Sequence, residues 1–291
     1  MWKETIAIQG PYDFDRVLDR YSLDPMISVN KNERSILVPL WIDKMPYIIK
    51  VMATGTIEKP SFIVEGTDRL IKDDALKKVE HIFQWNESLE KVYEHFQHTS
   101  LASLFEQHRG TPLILDFDYY SSLAKCIIHQ QLNLKFAQTL TYRFAQHFGR
   151  VMDGVTFFPL PEEVAEIKTE QLRELQFSQR KAEYVIGLSK LIADGTLNLE
   201  TLSNQSDEEI IHDLVKIRGI GKWTAENFLL FALGRKNLFP MADIGIQRAI
   251  QKFFHMDRKP TYEEMEDMAK EWQPYLSYAS LYLWRSIEVT T

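Results

Sequence analysis

Residues Val215 to Ile246 read V-K-I-R-G-I-G-K-W-T-A-E-N-F-L-L-F-A-L-G-R-K-N-L-F-P-M-A-D-I-G-I, and this stretch decides the fold. A helical run from Asp207 to Ile217 meets a Gly219-Ile220-Gly221 turn, and a second helical run starts at Lys222. Gly219 and Gly221 can take left-handed or extended dihedrals at no Cβ cost. The backbone N–H groups at the start of the next helix then point outward, which suits an anion such as a phosphate diester. Such a turn grips a nucleic-acid backbone without reading its sequence. After the break at Phe239-Pro240 comes a lone carboxylate, Asp243, placed to act on whatever lies nearby. Asp is also a favoured N-cap for the helix that begins just after it. A capping Asp with one oxygen left over does both.

The chain has 291 residues, enough for two ordinary domains. A hydrophobic share of 45% with 26% charged residues is that of a globular protein. The single cysteine, Cys126, excludes an internal disulfide framework and a cysteine-ligated iron–sulfur cluster within one chain. The absence of an N-terminal signal and of long apolar runs predicts a cytoplasmic protein with no membrane partner. A net charge of −7 argues against a broadly basic DNA-binding face. The charge is patchy, however. Lys216, Arg218, Lys222, Arg235, Lys236, Arg248 and Lys252 gather around the turn, and a footprint on few phosphates needs only these.

Working outward, the N-terminal third carries short alternating runs at Thr5–Ile8, Ile36–Trp41, Tyr47–Met52 and Ser61–Val64, with helical patterns at Phe14–Tyr21 and Arg69–Phe83. This predicts a small α+β domain over residues 1–105 with an antiparallel sheet. Beyond it the strand signal vanishes. Helical patterns recur from Asp118 to Ile287, punctuated by Gly149, Pro159, Pro161, Gly195, Gly234 and Pro240. Residues 106–291 are expected to form an all-helical body of two lobes with a cleft between them. His95 and His98 read as one solvated helix face rather than a metal site, since a third ligand at metal spacing is missing.

The hairpin Leu214–Phe228, with I-x-G-I-G-x-x-T-A at Ile217–Ala225 and D-x-x-x-x-R at Asp243–Arg248, resembles the helix-hairpin-helix Gly-Pro-Asp superfamily of DNA base-excision glycosylases. The sheet domain ahead of a helical body resembles its bacterial 3-methyladenine DNA glycosylase II branch. The resemblance implies a monofunctional hydrolase that cuts the N-glycosidic bond of alkylated bases in duplex DNA, acting as a monomer without a required cofactor. Asp243 would be catalytic, stabilising the cationic sugar of the transition state. Relatives that also cut the strand carry a lysine where this chain has Trp223, and form a Schiff base with it. Lys222 stands one residue earlier, about 100° around the helix, and so is expected to face phosphate with Arg218, Gly219, Gly221 and Thr224.

The target base must leave the stack. Gln131-Leu132, at the turn after the helix ending near Gln130, matches the position where the family inserts a wedge. The alternative for Leu132 is an apolar staple between two helices. Trp223 and Trp284 match aromatic walls of the base pocket, although core packing is an equal reading of Trp284. Asn227 and Ile244 stand where some relatives have tyrosines, and Leu276 stands where an Arg is usual. A monovalent cation, Na+ or K+, is implied at the main-chain carbonyls of Val215, Ile217 and Ile220. Two other readings stay open: a glycosylase for an oxidised or deaminated base, and a non-catalytic hairpin protein that binds DNA or senses damage.

Overall fold

The computed structural model describes residues 1–287. Period-two apolar patterning produces the N-terminal sheet. Strands β1 (Trp2–Ala7), β2 (Ser28–Asn30), β3 (Ser35–Ile42), β4 (Met45–Ala53) and β5 (Ser61–Gly66) pair antiparallel in the order β1-β5-β4-β3-β2. On β3 the alternate residues Ile36, Val38, Leu40 and Ile42 are buried. Asp43 and Lys44, both at positive φ, make the two-residue turn into β4, whose twist matches that of the strands. Helix α1 (Phe14–Tyr21) starts at Asp13, whose side chain accepts from the N–H groups of Asp15 and Arg16, and buries Phe14, Val17, Leu18 and Tyr21.

Helices α2 (Lys72–Ile82), α3 (Leu89–Phe96) and α4 (Ala102–Gln107) lead out of the sheet. The helical body follows as α5 (Tyr119–His129), α6 (Leu134–Phe148), α7 (Pro161–Ala165), α8 (Thr169–Glu174), α9 (Gln179–Ala193), α10 (Leu199–Leu202), α11 (Asp207–Leu214), α12 (Lys222–Phe231), α13 (Ile244–Phe253), α14 (Tyr262–Ala269) and α15 (Leu276–Ile287). Side chains of Asp118, Asn133, Ser178, Ser206, Asp243 and Thr261 cap the starts of α5, α6, α9, α11, α13 and α14, each satisfying an N–H that the helix cannot.

One apolar cluster extends from Trp2 to Leu283, so sheet and helices share a core. Helices α3 and α4 pack against the C-terminal helix: the rings of Phe96, Phe105 and Tyr282 stack with centroids 3.7 and 3.9 Å apart. The Trp41 indole donates to the Phe158 carbonyl at 3.0 Å, tying the sheet to the body from another side.

The strand signal does not in fact end with the sheet. A hairpin of β6 (Arg150–Met152) and β7 (Val155–Phe157) follows α6. Its Asp153-Gly154 turn, with both residues at positive φ, is a strong local hairpin signal hidden among helical patterns. His98 lies beyond the end of α3, so it and His95 do not share a helix face. Leu276 opens α15 and is buried. That helix is held by hydroxyls instead of an Arg: Ser277 Oγ donates to the Arg235 carbonyl and accepts from the Leu238 N–H, and Ser280 Oγ donates to the Leu238 carbonyl.

Candidate active site

The hairpin runs from α11 through Val215–Gly221 into α12. The Ile217 N–H returns to the Leu214 carbonyl and the Ile220 N–H to the Ile217 carbonyl, which closes the turn. Gly219 has φ +97°, and a Cβ there would stand 2.3 Å from Cγ of Tyr184. Gly221 differs. It is extended, at φ −101° and ψ 175°, and serves as the N-cap of α12 with no capping side chain. A Cβ on it would meet open space, so the first N–H groups of α12 remain available to an anion. Arg218 and Lys222 are exposed beside this turn; Arg218 pairs with Glu183 at 2.9 Å and Lys222 lies 3.7 Å from Glu226. Thr224 is not at this surface. It is fully buried, and its hydroxyl accepts from Gln130 Nε2 at 3.0 Å.

Gln130 also donates to the Gly219 carbonyl at 2.9 Å, so one side chain joins the end of α5 to the hairpin. Lys181 of α9 secures the same helix end. Its ammonium donates to the carbonyls of Ile127, Ile128 and Gln130 at 3.1, 2.6 and 2.6 Å, at a helix end where carbonyls run out of intrahelical donors; of the three, Ile127 also accepts the Gln130 N–H. Neither residue stands out in the sequence, because a polar residue at a helix end and a lysine inside a helix are commonplace. Together they fix the residue that follows, Gln131, which is exposed and left-handed at φ 57°.

Leu132 is half-buried and packs against the core cluster, an environment with room for both the wedge and the staple readings. Leu132→Ala is therefore expected to lower the melting point, by less than the ~2–5 kcal/mol of a fully buried leucine. It should also cut activity on duplex lesions more than on mismatched ones, and least on single strands. Equal losses on all three substrates would identify Leu132 as a staple only.

Burial pushes Lys181 down to about 8 from 10.5. Between these values the unfolded chain holds more of this proton, so this group does not cost folding stability as pH rises. What is lost above about pH 8 is the third donor on the α5 carbonyls. Activity on duplex lesions should consequently fall through that pH relative to mismatched lesions, without a matching fall in melting temperature. A ratio that stays flat across the window would contradict this role.

Asp243 is half-exposed at the start of α13. Its Oδ1 accepts from the Ile246 N–H at 3.0 Å and from the Trp284 indole at 2.9 Å; Oδ2 has no hydrogen bond within the described residues. The Trp284 ring stacks on Phe231 at 5.9 Å. Phe231, with Trp223 and Asn227, forms one face of α12 at a spacing of four and lines a cleft of about 270 Å³. The other walls come from α1, α5 and α6 and from the segments that follow α1 and precede α5. Asn227 Nδ2 is bonded to the Trp223 carbonyl at 2.8 Å. Ile244 is exposed and does not line this cleft. Trp284 and Asp243 do not line it directly either; they reach it through the stack of Trp284 on Phe231.

The basic cluster read from the sequence is partly structural. Arg235 pairs with Asp207 and donates to the carbonyls of Ser203 and Gln205, and Lys236 pairs with Glu87. Arg248 and Lys252 of the same cluster are both exposed on α13, as are Arg218 and Lys222 at the hairpin. Lys222→Ala is expected to reduce the slope of log affinity against log salt by about one unit, equally for damaged and intact duplex. An unchanged slope would remove Lys222 from the interface.

Residues 124–274, which hold the whole hairpin, the Asp243 cap and most of the α5 face of the cleft, match the model for HhH-GPD superfamily base excision DNA repair proteins. The chain belongs to this family. Within it, YfjP of Bacillus subtilis (strain 168), provisionally named a DNA-3-methyladenine glycosylase, is 53% identical over 290 residues, 99% of this chain and 100% of that protein. A second Bacillus subtilis protein, named DNA-3-methyladenine glycosylase, is 31% identical over 74% of this chain and 72% of its own length. Among solved structures, the 3-methyladenine DNA glycosylase of Archaeoglobus fulgidus superposes with a TM-score of 0.86 at 24% identity, covering 98% of this chain and 97% of that one. That likeness extends the shared fold to the N-terminal sheet, which lies outside the matched HhH-GPD segment.

Proposed function

We propose that this HhH-GPD protein is a monofunctional DNA glycosylase that hydrolyses the N-glycosidic bond of alkylated bases in duplex DNA, in base-excision repair. The observation that carries the reading is the Asp243 carboxylate, held by Oδ1 on a helix start and on the Trp284 indole, which stacks on Phe231 of the cleft wall, with Oδ2 left unbonded among the described residues. The names of relatives support the alkylated-base class. A pure DNA binder has no need of a carboxylate beside a phosphate channel.

The hairpin N–H groups, Arg218 and Lys222 would hold backbone phosphates, and Leu132 would fill the gap left by the extruded nucleotide. As the C1′–N bond breaks, its electron pair leaves with the base. An alkylated purine is already cationic and departs neutral, so no general acid is required. Asp243 Oδ2 faces the developing sugar cation, and water attacks C1′ and loses its proton to that carboxylate or to solvent. Lys222 is exposed and does not line the cleft, whereas Trp223 does, which favours hydrolysis over Schiff-base chemistry. The carbonyls of Val215, Ile217 and Ile220 would hold a monovalent cation. That of Ile217 already accepts the Ile220 N–H, leaving it one lone pair, and no chemical step depends on the ion. The setting is the cytoplasm and the working unit a monomer; no helix of the described residues is long and apolar enough to cross a membrane.

A panel of duplexes, each with a single alkylated, oxidised or deaminated base, tests this reading. Release confined to the alkylated members is expected. Release of only oxidised or deaminated bases would transfer the protein to another lesion class, and tight binding without any release would make it a damage sensor.

A further inference from the structure

The wall of the cleft facing Trp223 and Phe231 is polar, and hydrolysis at C1′ makes no use of it. Ser122, Lys125, Cys126 and His129 of α5 line this side at helical spacing. Lys125 Nζ lies 3.5 Å from Asp24 and 3.6 Å from Asp116, both of which also line the cleft. These distances exceed those of a tight charge-assisted hydrogen bond, about 2.7–2.9 Å; the ammonium is balanced by both carboxylates and spends one donor on Asp24, which leaves others for a ligand. The side chain of Lys125 is 15% exposed, those of Asp24 and Asp116 26% and 30%. The hydroxyl of Ser122, on a fully buried residue, has no hydrogen-bond partner.

The charges of this wall are settled. Burial alone would lower Lys125, but Asp116, Asp24 and Asp118 hold its ammonium above the usual lysine range. Burial and then Lys125 bring His129 down to about 4, and burial raises the Cys126 thiol to about 12, so both are neutral at physiological pH. The floor therefore presents an acceptor, a donor and an acceptor: carboxylate, ammonium, carboxylate.

We infer that this floor reads the edge of the extruded base and selects purines with a carbonyl at C6, N1–H on one side of it and a cationic or protonated N7 on the other. The inference rests on the glycosylase reading above and deepens it. In a 7-alkylguanine, O6 meets the Lys125 ammonium, N1–H donates to one carboxylate, and the positive N7 ring edge faces the other. An adenine presents the inverse pattern. Its N6 amino group would face the ammonium, and the lone pairs of N1 and N7 would face carboxylates. A site built on buried polar groups rejects a ligand that leaves them unpaired far more strongly than an apolar pocket rejects a misfit. The cleft is thus tuned to guanine-type lesions, and adenine-type alkylation products are its poorer substrates.

The test is calorimetric titration of the full chain with free 7-methylguanine, hypoxanthine and adenine, alongside base release from methylated duplex. Hypoxanthine and adenine differ only at the edge in question. The 6-oxopurines are expected to bind about tenfold or more tighter than adenine. Asp116→Asn, which keeps shape, should narrow that gap, and Lys125→Met should abolish it. Should Lys125→Met fail to fold, Asp116→Asn and the wild-type preference still decide. Equal binding of hypoxanthine and adenine, no binding of any base, or a gap unchanged in Asp116→Asn would overturn the assignment. Base release without a 6-oxo preference refutes the floor alone; a preference without base release refutes the glycosylase reading alone.

Discussion

Asp243→Asn is expected to lower the single-turnover rate of base release on the order of 10²–10³-fold, the loss seen when one group aimed at developing transition-state charge is removed. The fold should survive. Asn is as good an N-cap as Asp, and its Oδ1 can still accept from the Ile246 N–H and the Trp284 indole, the two bonds that now orient the side chain. What disappears is the negative charge, and with it the stabilisation of an oxocarbenium-like sugar. Affinity for lesion duplex should be unchanged or higher. A mutant with wild-type rates would mean that Asp243 is a cap and nothing more.

Gly219→Ala should damage the protein, and Gly221→Ala should damage only its grip on DNA. At 219 the backbone is left-handed and the new Cβ meets the Tyr184 ring at 2.3 Å. Left-handed φ costs an L-residue about 1–2 kcal/mol before any clash. That ring also carries the Arg218 guanidinium at 5.5 Å, so displacing it disturbs the exposed cation as well. Gly219→Ala is expected to destabilise by about 2 kcal/mol or more and to abolish measurable duplex binding. Gly221→Ala meets no atom within 4 Å in the free protein and should leave the melting temperature nearly unchanged. Its methyl stands where phosphate would approach, so binding should weaken about equally for damaged and intact duplex, since phosphate contacts position rather than specify. Similar melting temperatures for the two variants would show that the turn is softer than its geometry implies.

The hairpin was legible in the sequence because its constraints are local. Glycine at a left-handed position, an uncapped helix start and an Asp before α13 all leave marks within a few residues. The sheet was legible for the same reason, through period-two burial on β3 and β4. What the sequence concealed depends on distant partners. Thr224 reads as part of the hairpin surface, yet α5 folds over it and Gln130 bonds its hydroxyl. Lys181 reads as an ordinary helix lysine, and only the tertiary fold brings it onto three carbonyls at the C-terminal end of α5. The polar floor is built from Asp24 after α1, Asp116 before α5 and Lys125 within it, a set with no sequence spacing to betray it. The hairpin of β6 and β7 was locally marked by Asp153-Gly154 and was masked by helical patterns on either side.

The most direct measurement is the product analysis of a single turnover on a duplex carrying one 7-methylguanine. The account predicts free 7-methylguanine, an intact strand with an abasic sugar, and no covalent adduct after borohydride treatment. A nicked strand with a borohydride-trapped adduct that disappears in Lys222→Ala, or the absence of base release altogether, would contradict it.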